Sequence, residues 1–169
     1  MSSKGEPVNE IQAPLEIAAL YALTVMLREG NLAGASGVKF PKTIHIGHSF
    51  GSAQTFTLAL AHPEVSDGIV LTGFSQNASF ASQFILGSNV IQANTVSALS
   101  QFPTGYLAPN SPVGVHIDFF SPDSFDPQIL QVAYMTGQPV TPGELLTLAG
   151  RTGEVNPFAK PVLIVTGGK

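Results

Sequence analysis

Lys42 to Pro63 reads KTIHIGHSFGSAQTFTLALAHP, and the order of residue types along it decides the fold. Thr43, Ile44 and Ile46 form a short β-branched run bounded by turn formers, the pattern of a parallel-sheet strand buried on both faces. Gly47-His48-Ser49-Phe50-Gly51 then fits G-x-S-x-G, in which a serine sits on a strained strand-to-helix turn. Glycine at both flanks is expected on steric grounds, because a Cβ at Gly47 or Gly51 would meet neighbouring backbone in so tight a turn. From Ser52 to His62, the residues Ala53, Phe56, Thr57, Leu60 and Ala61 recur at helical spacing, and Pro63 stops the helix. The turn puts the Phe50 N–H at a helix N-terminus, facing an oxygen that would gain negative charge in acyl transfer. Ser49 is thus a candidate nucleophile, and the Phe50 N–H a candidate oxyanion donor.

Outward from this stretch, Glu64 and Asp67 lie in a tight loop, and Ile69 to Thr72 read as a second buried strand. Strand, helix and strand in that order make a βαβ unit with parallel pairing. Pro161 to Thr166 read as a third buried strand, closed by glycine. On the other side, Pro14 suits the first turn of a helix whose Leu15, Ala18, Ala19, Ala22, Leu23 and Met26 recur at three and four, with Gly30 as its stop. Residues 1–12 read as a polar lead-in. The fold class is therefore α/β.

Between Phe74 and Pro157 the texture changes to Ser, Asn, Gln, Pro and Phe without strand alternation. Short helices are predicted over 78–86, 88–100, 127–135 and 142–148, joined by loops around 103–112 and 121–126. Phe80, Phe84, Phe102, Tyr106, Phe119, Phe120, Phe125 and Tyr134 would either pack this segment against itself or line an apolar pocket.

Composition excludes several classes. A chain of 169 residues, 44% hydrophobic and 11% charged, can bury a core of its own. Its net charge of −4, with seven Lys and Arg scattered singly, argues against nucleic acid or an anionic membrane surface as a partner. There are no cysteines, hence no disulfides or thiolate metal sites, and no histidine pair has ligand spacing with a carboxylate. No apolar run approaches a membrane span, no signal-like start is present, and the compartment stays open. No phosphate-binding or dinucleotide-binding glycine motif occurs, so no cofactor is expected.

GHSFGSA after an apolar strand, followed by ALAHPEVSDGIVLTGFS, resembles the α/β-hydrolase superfamily, and within it fungal esterase- or lipase-like members. The resemblance implies a serine hydrolase acting on a carboxylic ester, thioester, lactone or amide, with an apolar acyl substrate. It places residues 1–73 and 158–169 in a partial hydrolase core of three parallel strands, and residues 74–157 in a helical cap-like insertion. The superfamily supplies its acid and its histidine in the order Ser, Asp or Glu, His. The acid falls due after the third strand, close to Lys169, and the histidine beyond a further strand. The resemblance thus implies that the 169 residues span the middle of the fold, with base and acid outside them. It also implies sheet edges open to self-association. Aspartate-nucleophile relatives are excluded, because they need a carboxylate where Ser49 stands. The alternative reading keeps the fold and makes the chain a non-catalytic derivative or interaction module.

The remaining titratable residues have structural readings. His45 lies in the strand and reads as a satisfied internal histidine. His48 cannot fold back onto its neighbour's hydroxyl within the turn, and His62 ends a helix at the surface. His116, beside Asp118, is the one candidate base in the insertion. Asp67 reads as a loop cap, and Asp118, Asp123 and Asp126 as turn residues.

Overall fold

Residue types that alternate between β-branched runs and small-residue helices arrange themselves here as a parallel sheet beside helices. In the computed structural model, which describes residues 5–77, 79–147 and 149–167, helix α1 (Ala13–Glu29) precedes strand β1 (Ile44–His48), helix α2 (Phe50–Ala61) and strand β2 (Gly68–Thr72). There follow α3 (Ala81–Ser88), β3 (Val90–Gln92), β4 (Leu107–Pro109), α4 (Pro112–Phe119), α5 (Pro127–Thr136), α6 (Pro142–Thr147) and β5 (Val162–Val165). Part of the expected lead-in, the first residue of the helix expected over 78–86, the last of that over 142–148, and the chain's final two residues lie outside the described residues.

The chain divides into two compact units, one of Ala13–Asn77 with Thr147–Lys169 and one of Met1–Gln12 with Ala78–Leu146. In the first, the three strands form a parallel sheet in the order β1-β2-β5. Ile46 pairs with Val70, and Val70 with Leu163. Registered partners in a parallel sheet share a face, so the sheet has one face bearing His45, Gly47, Ile69 and Leu71 and another bearing Ile44, Ile46, Val70 and Leu163. The first face is the core: Ile69 and Leu71 pack with Phe56, Ala59 and Leu60 of α2, and Phe74 and Phe158 close the cluster.

The second face overturns an expectation. Ile44 is 65% exposed and Ile46 72%, and all of β5 is exposed, so only β2 is buried as a central parallel strand should be. A parallel strand is buried on both faces only when helices cover both; among the described residues of this unit the face of Ile44, Ile46 and Leu163 is left open, and β5, at the sheet edge, is exposed even at Val162 and Ile164 on the core face.

Helix α1 forms where the periodicity places it and turns the other way. The stripe Leu15, Ala18, Ala19, Ala22, Leu23 and Met26 is exposed, while Ala13 and Thr24 are buried. Polar anchors select the face. Thr24 meets His45, Glu16 accepts from Gln54, and Arg28 donates to Val65 O at 3.0 Å and to Asp67 Oδ2 at 3.4 Å. The helix ends at Gly30 (φ 78°), whose N–H bonds Leu27 O while the Asn31 N–H bonds Met26 O, the paired closure that a left-handed glycine permits.

The second unit differs from the expected string of helices. The helix expected over 88–100 is replaced by β3 and two short 3-10 turns, Ala93–Thr95 and Ser97–Leu99. Asn89 stops α3 in the left-handed conformation (φ 44°, ψ 57°), which Asn tolerates, and the β-branched Val90 and Ile91 then continue as a strand. β3 pairs antiparallel with β4, in a segment expected to be loop. Helix α4 was also not expected; Pro112 stands in its first turn after Ser111, a legible start signal. Asp118 accordingly lies on a helix rather than a turn, where it accepts from Ser88 Oγ. Asp126 caps α5, accepting from Gln128 N at 2.8 Å. This unit has its own core of Ala93, Leu99, Phe102, Tyr106 and Ala108.

Candidate functional site

The junction of β1 and α2 is one residue long, and that residue is Ser49. Its backbone stands at φ 51°, ψ −117°. That is within about 10° of the first central position of a type II′ turn, where glycine is the usual occupant. A side chain there carries about 1–3 kcal/mol of strain, and such positions persist where the surroundings over-determine them.

The surroundings do so through Thr72. Ser49 N–H donates to Thr72 O at 2.9 Å, extending the sheet ladder one residue past β1. Ser52, fully buried, donates from Oγ to the same carbonyl at 2.8 Å and accepts from Thr72 N at 3.0 Å. Thr72 Oγ1 donates to Gly47 O at 3.0 Å, which leaves it an acceptor toward His48 Nδ1 at 2.9 Å. Ser49 O in turn accepts from Ser52 N at 2.9 Å and Ala53 N at 3.3 Å, starting the helix. Ser52 and Thr72 were not legible as site residues, because their roles require the neighbouring strand to be in place.

The two glycines of the turn prove unequal. A Cβ on Gly47 would fall on the Gly51 carbonyl oxygen, 2.5 Å from Gly51 C and 2.6 Å from Ser52 N, all of them backbone. A Cβ on Gly51 would meet nothing within 4 Å, which corrects the expectation of a clash at both flanks. The helix folds back over β1 only on the Gly47 side.

Ser49 is exposed, and its Oγ has no hydrogen-bond partner among the described residues. The Phe50 and Gly51 N–H groups occupy the first two positions of α2, where no carbonyl four residues back lies within the helix. The Ser49 hydroxyl therefore stands at the positive end of a helix dipole, beside N–H groups that the helix itself does not pair.

The histidines are engaged elsewhere. His45 is held between Thr24 Oγ1 and Ser66 Oγ, each at 2.9 Å from a ring nitrogen. Ser66 Oγ spends its proton on Gly68 O, so it accepts from Nδ1–H, and a neutral ring requires the Thr24 hydroxyl to donate to Nε2 in place of Leu20 O, which lies 2.7 Å from it. Burial pushes the His45 pKa down, and the Arg28 charge adds to this. His62 caps the end of α2, stacks on Tyr21 at 4.0 Å between ring centroids, and lies 3.6 Å from Glu64 Oε1. His116 belongs to the second unit, on α4, with its ring against Phe125 at 4.4 Å. In the same unit burial raises the pKa of Asp118, and the hydrogen bond from Ser88 opposes the rise. Asp67 is a loop anchor: the N–H of Thr43 lowers its pKa, and Arg28, Lys160 and Lys42 assist. Its Oδ2 accepts from that N–H at 3.0 Å.

Among the described residues no group of three or more His, Cys, Asp or Glu is placed to hold a metal ion, and no helix is long and apolar enough to cross a membrane. Six of the eight aromatic side chains of the second unit pair ring to ring, Phe84 with Phe119, Phe102 with Tyr106 and Phe120 with Phe125. No model of a known protein family matches the chain, and no curated protein matches it. Its class rests on what is described above, an α/β chain with a three-strand parallel sheet flanked by helices.

Proposed function

We propose that the chain is of α/β-hydrolase type and that Ser49 is the nucleophile of a serine hydrolase acting on an ester, thioester, lactone or amide. The observation that carries this reading is the backbone of Ser49, a non-glycine residue held at φ 51°, ψ −117° between a parallel strand and a helix N-terminus, its hydroxyl exposed. Strain confined to one residue and stabilised by Thr72 and Ser52 has its natural use in presenting that hydroxyl. The strand order supports the same lineage, since the three strands lie side by side as the resemblance implies.

In this mechanism Ser49 Oγ attacks the acyl carbonyl carbon while its proton passes to a base. The carbonyl oxygen takes up the negative charge against the Phe50 N–H, and collapse of the tetrahedral intermediate expels the alcohol, thiol or amine. In the described sheet unit no imidazole or carboxylate bonds Ser49 Oγ, and slow turnover by the chain alone is expected. The second reading, a non-catalytic module of the same fold, draws on that same lack of a base.

A fluorophosphonate probe with peptide mass mapping tests the proposal. Ser49 is expected to be modified slowly, faster with added imidazole as an external base, and Ser49→Ala is expected to remove that adduct and any hydrolysis of short p-nitrophenyl esters. Absence of a Ser49 adduct at high imidazole, or labelling spread evenly over other serines, would leave the non-catalytic reading.

A further inference from the structure

The second unit contains a cleft of about 440 Å³. At about 30 Å³ per water-sized group it would take roughly fifteen non-hydrogen atoms. It lies within the ~300–1,000 Å³ range of small-molecule sites. Ile91, Val96, Leu99, Ala108, Val115 and Met135 line it, and Leu99, Ala108 and Val115 are themselves buried, so the cleft reaches the core of its unit.

None of the lining residues carries a charge. A carboxylate or ammonium drawn into it would lose hydration without gaining a counter-ion, which is a strong selection against charged ligands. The polar groups it offers are neutral: Asn110, Thr95, Ser97 and Gln138. Tyr134 gives its hydroxyl proton to Asn110 O at 3.3 Å, fixing the ring against the cleft wall. The Asn110 carboxamide is exposed and has no partner among the described residues, so it can serve one neutral donor or acceptor on a ligand.

We infer that this cleft is a binding site for an uncharged, mainly aliphatic small molecule with a single neutral polar group, such as a medium-chain alcohol or amide. The inference stands on the second unit alone and is independent of Ser49. Walls of aliphatic carbon give trapped water few partners, so its displacement by an alkyl chain is favourable.

Nile red fluorescence on the full chain, with displacement by dodecanol, dodecanoate and dodecyltrimethylammonium, tests it. Saturable one-to-one binding is expected, with dodecanol displacing at least about ten-fold better than either charged analogue. Ala133→Trp fills the cleft from α5 and is expected to weaken binding about ten-fold or more, as is Val96→Trp from the 3-10 segment, so that misfolding of one variant leaves the other. Ile46→Thr and Leu163→Thr on the exposed sheet face are expected to leave binding unchanged. Non-saturable binding, equal displacement by all three ligands, retained affinity in a folded tryptophan variant, or loss of binding in the sheet-face variants would each overturn the assignment.

Discussion

Gly47→Ala is the sharpest structural test of the turn. The added methyl carbon would lie 2.5 Å from Gly51 C and 2.6 Å from Ser52 N, and on the Gly51 carbonyl oxygen. Unstrained carbon contacts fall at about 3.5–4.0 Å, so the backbone must separate by roughly 1 Å, and no flexible side chain is available to yield. That separation would pull α2 from β1 and stretch the bonds that Thr72 makes to Ser49 N, Ser52 and Gly47 O. Overpacking alone costs about 1–3 kcal/mol, and the lost hydrogen bonds bring the expected destabilisation to about 4 kcal/mol, near the top of the range for one substitution. Gly51→Ala adds the same methyl group to open space. It is expected to be neutral or to stabilise by up to about 1 kcal/mol, since alanine is the better helix former. Urea unfolding followed by circular dichroism measures both. A Gly47→Ala variant within about 1 kcal/mol of the parent, or one no worse than Gly51→Ala, would show that the helix does not close on Gly47 as described.

Ser49→Gly is expected to stabilise the fold by about 1 kcal/mol, strain relief outweighing the entropy of a new glycine, whereas Ser49→Ala brings no such gain; equal urea midpoints for the two would remove strain from the account. His45 has a depressed folded-state pKa, so its contribution is complete above its unfolded value of about 6.5 and is lost as pH falls through the folded one. Stability measured from about pH 7 down to 5 is expected to decline in the parent and to flatten in His45→Gln; parallel curves would refute this. Asp118 shifts the other way: its raised pKa means that ionisation in the folded chain opposes stability as pH rises above about 3.8. Asp118→Asn, which keeps an acceptor for Ser88, is expected to melt higher than the parent at neutral pH and level with it near pH 3; a lower melting point at neutral pH would make the carboxylate a net stabiliser. Self-association through the sheet is expected from the exposed Ile44, Ile46 and β5 residues, and Ile46→Lys with Leu163→Lys should reduce light scattering; a monodisperse monomer in the parent would count against it.

Much of the sheet unit was legible because its signals are local. A β-branched run, two glycines, a serine and a small-residue helix each state a backbone preference within a few residues. Their order allows only a βαβ unit, whose β1-β2 pairing is parallel. The helical unit was less legible. Asn89 breaks a helix by its tolerance of the left-handed region, which apolar spacing over 88–100 conceals, and the Ser111-Pro112 start falls at the end of a Pro- and Gly-containing run over 103–112 that has the composition of a loop.

Ser49, its glycine neighbours and the helix behind them were determined by sequence alone, because steric limits at a strand-to-helix turn depend on residues adjacent in the chain. Tertiary structure decided the rest. It made Gly47 indispensable and Gly51 free, since a clash depends on which side α2 closes. It brought Thr72 and Ser52 to the turn, and turned Thr24 and Arg28 of α1 inward in place of the apolar stripe. A periodicity says that a helix has an apolar side, and only buried hydrogen bonds to a neighbouring strand say which side faces it.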